Sequence, residues 1–211
     1  MRIGELSKRT GVPVPTIKYY LREGLLPGGE LTSHNQAQYG EKHLHRLKLV
    51  RAMTEVGKLS VAATREVLGA VDEPSTGLHE VLGVAQAAVT PHVTAGDTES
   101  WEQAEALVSE LVVRRGWTVK PENPARQALT QLVVTFRDLG QEDLLEVLDD
   151  YATAAEQLSK AELGVIGRRE GVDSKVEGAV LGTVLGDALI GAMRRLAQSD
   201  ASHRIFEAPD V

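Results

Sequence analysis

Apolar positions in the first seventy residues recur at spacings of three and four, in short stretches separated by glycine and proline. Ile3, Leu6 and Thr10 share one helical face, and Gly11 supplies the left-handed position that ends the helix. Val12 tucks beneath the turn. Pro13 and Pro15 fall at the cap and first turn of the next helix, where backbone N–H groups lack intrahelical partners in any case. In that second helix Ile17, Leu21 and Gly24 share the inner side, whereas Thr16, Lys18, Tyr19 and Arg22 point outward or along the flanks. Two short helices joined by a glycine turn, the second exposing Lys, Tyr and Arg, have the layout of a helix-turn-helix that meets phosphates and base edges.

The period breaks at Pro27-Gly28-Gly29. A β-compatible Glu30-Leu31-Thr32, a turn at Ser33-His34-Asn35 and a return through Gln36-Ala37-Gln38-Tyr39 predict a small two-stranded wing. Gly40-Glu41 opens a long amphipathic helix with Leu44, Leu47, Val50 and Met53 around one face, ending near Gly57, and a short helix from about Ser60 to Leu68 closes the unit. Asp72-Glu73-Pro74-Ser75-Thr76-Gly77 reads as a linker, and Leu78, Val81, Leu82 and Ala85 start a helix that Pro91 and Gly96 cut short.

Beyond it the pattern is helical throughout. Thr98 to Arg115 carries Trp101, Ala104, Leu107, Val108 and Leu111; Asn123-Pro124 starts a helix running to Gly140; Gln141 to about Arg169 carries Leu144, Leu145, Leu148, Tyr151, Ala155 and Leu158. A last helix from about Asp173 to Gln198 repeats Gly178, Gly182 and Gly186 four apart, a spacing that lets another helix approach closely, across a dimer or within the chain. The expected fold is mainly α: a winged helix-turn-helix with a small two-stranded wing over residues 1–70, a linker and short connecting helix over 71–96, and a multi-helix regulatory and dimerisation domain over 97–211.

The order of these elements, with Thr16-Ile17-Lys18-Tyr19-Tyr20-Leu21-Arg22-Glu23-Gly24-Leu25-Leu26 as second helix, resembles the DNA-binding domain of the MerR family of bacterial transcription regulators. That helix is similar to the family's T-[IL]-R-Y-Y-E-x-x-G-L-L. The resemblance implies a homodimer on a near-palindromic promoter operator, commonly in a spacer too long for RNA polymerase, which the protein bends and untwists. By position it implies DNA contacts from Thr16, Lys18, Tyr19, Tyr20 and Arg22, and a grip on flanking phosphates by His34, Asn35, Gln38 and Tyr39 of the wing. Two departures stand out. Pro13 and Pro15 occupy positions where relatives have a Ser or Thr cap and an Arg, and Ala37 and Gln38 replace wing arginines, which implies a shallower salt dependence of binding. The simplest relatives also continue into one long dimerisation helix, which Pro91 and Gly96 interrupt here. The helical body loosely resembles the regulatory domain of TetR-type repressors.

Charge partition agrees with a nucleic-acid-binding head. Residues 1–70 hold eleven Lys and Arg against six Asp and Glu, a balance of +5, whereas the remainder holds twelve against twenty-four, −12. The absence of cysteine removes disulfides, thiolate metal ligation and cysteine redox sensing. No leader is expected from the start MRIGEL, and the apolar run Gly178 to Met193, flanked by Glu177 and broken by Asp187, is expected not to span a bilayer, which points to the cytoplasm and the nucleoid. No phosphate loop, nucleophile elbow or cofactor motif is present, and the histidines form no metal-ligand spacing. The acidic run Glu142, Asp143, Glu146, Asp149 and Asp150 follows Gly140 at a helix start, where negative charge is favoured by the dipole, so no enzyme is expected. Trp101, Trp117, Phe136 and Tyr151 are read either as core filler or as the lining of a small-molecule effector pocket. The alternative for the body is a surface that recognises a partner protein and no small ligand.

Overall fold

In the computed structural model, residues 1–33, 36–73, 75–94, 96 and 98–206 are described; the wing turn at His34-Asn35 and the linker residue Pro74 lie outside them. The elements are α1 (Ile3–Thr10), α2 (Val14–Arg22), β1 (Glu30–Ser33), β2 (Gln36–Gln38), α3 (Glu41–Arg51), α4 (Val61–Asp72), α5 (Leu78–Val89), α6 (Glu99–Arg114), α7 (Pro124–Asp138), α8 (Leu148–Gly167) and α9 (Val172–Phe206). This is the expected mainly α fold with one small antiparallel sheet. Two compact units emerge: Met1–Ala85 with Val176–Val211, and Gln86–Lys175. The last helix, expected within a body of residues 97–211, therefore belongs from Val176 onward with the N-terminal unit.

Local chemistry sets the first unit. Gly11 sits at φ 71 and donates its N–H to the Ser7 carbonyl at 2.8 Å, so α1 ends in a left-handed cap that an L side chain would strain. Pro13 caps α2 and Pro15 occupies its first turn. β1 and β2 pair with Glu30 opposite Gln38 and Leu31 opposite Ala37, and the register shifts between Leu31 and Ser33. At the end of α3 the chain passes into a single wide π-turn, Ala52–Val56, before Gly57. Ser60 then caps α4, its hydroxyl accepting the Ala63 N–H at 3.1 Å. Leu6, Ile17, Leu25, Leu26, Leu47, Val50, Met53, Val67 and Leu68 are each at most 1% exposed and form the core of this unit.

α9 closes against the same unit. Val176, Gly178, Ala179, Val180 and Val184 are buried, and His45 on α3 pairs with Glu177 at 2.8 Å. A Cβ at Gly57 would run into Val184 Cγ1 and stand 2.9 Å from the Met53 carbonyl oxygen, so this glycine is what permits the close approach. By length and composition α9 could cross a bilayer. Its buried first third and the charges Asp187, Arg194 and Arg195 fit a helix of a folded protein better.

In the second unit, Thr98 caps α6 through its hydroxyl and Asn123 caps α7, its side-chain oxygen accepting from Ala125 and Arg126. Ala104, Val108 and Val112 of α6 pack on Val133 of α7 and on Leu145. The helix expected to run unbroken from Gln141 instead starts with a 3-10 turn, Glu142–Val147, and becomes α-helical at Leu148. That turn places Leu145 in the core while Leu144 stays 51% exposed. Arg126 bridges α6 and the preceding loop, bonding Glu105, the Ser109 hydroxyl and the Val119 carbonyl. The acidic run serves structure: Asp149 binds Arg114 at 2.9 Å and Arg115 at 2.7 Å, and Glu142 binds Arg137 at 2.9 Å.

Candidate nucleic-acid interface

The face of α2 that remains outside the core carries Lys18, exposed; Thr16 and Tyr19, half-buried; and Arg22, whose side chain is 71% exposed. The Arg22 guanidinium lies 5.2 Å from the Tyr19 ring centroid, a cation–π contact that orients both toward one side. Cation, aromatic and hydroxyl thus stand together on a short helix held from behind by Ile17 at 0% exposure.

Two residues expected to meet DNA, Tyr20 from α2 and Tyr39 from the wing, are buried. Tyr20 is buried beside Ile17. A 3.6-residue period allows both Tyr20 and Leu21 to share the inner side with Ile17, and the larger ring takes the volume while Leu21 is only half-buried. Tyr39 is 7% exposed, its ring edge-on to His43 with centroids 5.2 Å apart. It therefore anchors the base of the wing. Its backbone exchanges two bonds with Met1, the Tyr39 N–H donating to the Met1 carbonyl and the Met1 ammonium donating to the Tyr39 carbonyl, each at 2.8 Å. His43 completes the anchor: Nδ1 accepts the Gly40 N–H at 3.0 Å, which leaves Nε2 to donate to the Gly28 carbonyl at 3.3 Å. Gly29 lies where a Cβ would come within 2.6 Å of the Gln38 carbonyl oxygen, so only glycine fits beside the returning strand. Gln38 is exposed on β2 and available to a backbone phosphate.

The +5 balance overstates the charge that DNA would meet. Arg9 pairs with Glu41 at 2.5 Å, Arg46 with Asp72 at 2.5 Å, Arg51 with Glu55 at 2.7 Å and Arg65 with Glu23 at 2.6 Å. Three of these also donate to backbone: Arg46 to Leu25, Arg51 to Thr10 and Arg65 to Glu23. They are struts between elements. Hydrogen bonding from Arg9 holds the Glu41 carboxyl below its ordinary value, and that from Arg51 does the same to Glu55. Sequence reasoning missed these struts because the partners of Arg9, Arg46 and Arg65 lie 26 to 42 residues away. Only the 39–43 spacing of Tyr39 and His43 could have pointed to the wing anchor.

In the helical unit the four aromatic residues weighed as an effector site do not share one environment. Trp117 and Phe136 pack against the Ala104, Val108, Val112, Val133 and Leu145 core, and the Trp117 ring N–H donates to Glu156 at 2.9 Å. Trp101 is 9% exposed near the start of α6, where Gly96 fits against its ring, and Tyr151 is 49% exposed on α8. Among the described residues no group of three or more His, Asp or Glu could hold a metal ion.

Comparison with known proteins bears on this arrangement. Residues 1–70 match the model of the MerR HTH family regulatory protein. The HTH-type transcriptional regulator ZntR homolog of Haemophilus influenzae is 28% identical over 136 residues, covering 64% of this chain and 97% of that protein. The mercuric resistance operon regulatory protein of Bacillus cereus is 38% identical over 71 residues, 34% of this chain and 53% of that protein. Among solved structures, SCO5550 of Streptomyces coelicolor A3(2), assigned as a transcriptional regulator, aligns over 100% of both chains at a TM-score of 0.71 and 35% identity.

Proposed function

Because the chain belongs to the MerR family of helix-turn-helix regulatory proteins and is a DNA-binding transcription regulator, we propose that it acts as a homodimer on a near-palindromic operator within a promoter. In this reading α2 of each protomer enters a major groove, Lys18 and Arg22 engage phosphates and base edges, and Thr16 and Tyr19 fix the register. The wing grips the flanking backbone through Gln38 and, at its turn, His34 and Asn35. Two α2 helices presented by a two-fold dimer distort the operator so that RNA polymerase can engage a promoter it otherwise reads poorly. The protein works in the cytoplasm, on the nucleoid. The observation that carries this proposal is the exposure of Lys18 and Arg22 on α2 around a half-buried Tyr19, beside a wing whose base is fixed by Met1, Tyr39 and His43.

For the helical unit we favour recognition of a partner protein. Trp117 and Phe136 contribute to a built core, while Val113, Leu132, Leu139 and Leu144 are each 51–79% exposed, which suits a surface that a protein covers. The mercuric resistance operon regulatory protein is named for a metal, but this sequence has no cysteine to bind a thiophilic ion. The competing reading is a small molecule entering at Trp117. It requires quenching of tryptophan fluorescence by the ligand that is lost in Trp117→Phe.

Footprinting on the promoter of the protein's own gene tests the DNA proposal. Two protected half-sites one helical turn, about 10 base pairs, or a multiple of it apart are expected, with enhanced cleavage between them from distortion. A single unpaired half-site overturns the dimer.

A further inference from the structure

α9 is two helices in one. Its first third, through Val184, is buried in the N-terminal unit. The remainder carries Leu189 at 63% exposure, Met193 at 58% and Leu196 at 73%. These three share a face at spacings of four and three, and that face continues back through Gly186 and Gly182. Where a Cβ at Gly182 would stand there is nothing within 4 Å. We infer that this segment pairs antiparallel with the same segment of a second copy, the two-fold axis passing at the level of Gly191, so that Leu189 of one chain packs on Met193 of the other. The inference rests on the homodimer proposed above and names the helix that forms it.

Three observations select a second copy. The sizes along the stripe match themselves on reversal about residue 191: Leu189 meets Met193, Leu196 meets Gly186, and Leu185 meets Ala197. A parallel pair would set Gly186 on Gly186 and Leu196 on Leu196, leaving gaps beside clashes. A self-matching patch is also what a closed two-fold interface requires. Second, residues 185–206 hold Arg194, Arg195 and Arg204 against Asp187 and Asp200, near neutrality, so two copies meet here without the repulsion that the acidic body would impose. An anionic membrane surface would call for a more basic flank. Third, the free stretch that pairs with itself about Gly191, residues 185–197, is 13 helical residues and spans roughly 20 Å. Within it Leu189, Ile190, Met193 and Leu196, each 41–73% exposed, supply the apolar surface that a second copy covers.

The cysteine-free sequence makes the test direct. Full-length Leu189→Cys and Met193→Cys chains are purified reduced, mixed and mildly oxidised, and Met193→Glu and Leu196→Glu are followed by sedimentation equilibrium with circular dichroism as the control for folding. Expected are a wild-type dimer, a disulfide in the mixture well above that in either variant alone, and at least a tenfold weaker dimer in each Glu variant with helicity retained. Cross-linking that is stronger in each Cys variant alone than in the mixture overturns the antiparallel register. A wild-type dimer that neither Glu substitution weakens leaves the homodimer standing and overturns the role of α9. A monomeric wild type at micromolar concentration overturns both. Cosedimentation of a monomer with phosphatidylglycerol-containing vesicles, abolished by Met193→Glu, would instead assign the stripe to a membrane.

Discussion

Substituting Gly57 with alanine probes how α9 is held. Gly57 has φ −70, so alanine adds no backbone strain and its cost is steric. The new Cβ would run into Val184 Cγ1 and approach the Met53 and Val184 carbonyl oxygens at 2.9 and 3.3 Å. The valine tip can rotate, but two backbone oxygens cannot yield without moving the π-turn or α9 itself. Overpacking of this kind costs about 1–3 kcal/mol, which for a chain of this size lowers Tm by roughly 2–12 °C at about 2–4 °C per kcal/mol. Val184→Ala alone removes two buried methyl groups, about 1.6 kcal/mol, and opens the space that the Gly57→Ala methyl needs. The double variant is therefore expected to lose less than the sum of the singles, by about 0.5–3 kcal/mol of coupling. Thermal unfolding gives the energies, and native-state hydrogen exchange over Val176–Val184 locates the change. Strict additivity, or a Gly57→Ala protein with unchanged Tm and unchanged protection of α9, would refute the proposed packing.

Lys18→Ala and Arg22→Ala should each weaken binding to operator and unrelated duplex alike and reduce the salt slope by about 1, measured by fluorescence anisotropy over a salt series; an unchanged slope removes that residue from the phosphate contacts. Tyr20→Ala should cost about 3–5 kcal/mol of stability as a buried aromatic truncation, whereas Tyr19→Ala should leave the melting curve nearly in place and lower DNA affinity; the reverse pattern would return Tyr20 to the DNA face. Gly29→Ala, with its Cβ 2.6 Å from the Gln38 carbonyl oxygen, should displace the wing and shrink the footprint at its outer edges while the core melts nearly as before. Acidification should destabilise the N-terminal unit: hydrogen-bonded guanidinium groups lower the pKa of Glu41 and Glu55 in the folded state. Their contribution is present above the unfolded carboxylate range and fades as pH falls through and below it, read as a decline in Tm from neutral pH toward about 4.

The helices of this protein were legible where their boundaries are written locally. Gly11 at a left-handed cap, Ser60 and Thr98 accepting N–H groups three residues on, and Asn123 ahead of Pro124 each act within one turn, so the sequence carries the whole cause. The DNA face was legible only in part for a related reason. Periodicity says that Ile17 has an inner neighbour but not whether it is Tyr20 or Leu21, and the choice falls to the volume left between α2 and the rest of the core. Charge counting failed at the next level, because Arg9, Arg46 and Arg65 are tied to acids distant in sequence. What sets the interface is the cations that stay exposed after folding, and Lys18 and Arg22, the latter 71% exposed although 3.9 Å from Glu23, count for more than the +5 total.

α9 shows the same limit at its largest. The repeat Gly178, Gly182 and Gly186 was expected to let another helix approach, but Gly178 is buried whereas Gly182 has nothing within 4 Å of where its Cβ would stand. One repeat thus meets the chain's own N-terminal unit at its start and open space farther on. The boundary falls near Val184, the last buried residue of α9, which packs at Gly57, and nothing in the spacing marks it. A helix anchored at one end to the DNA-reading unit, with its free end matched to itself, would carry any shift in dimer geometry to α3 of that unit, since His45 on α3 and Glu177 on α9 meet at 2.8 Å.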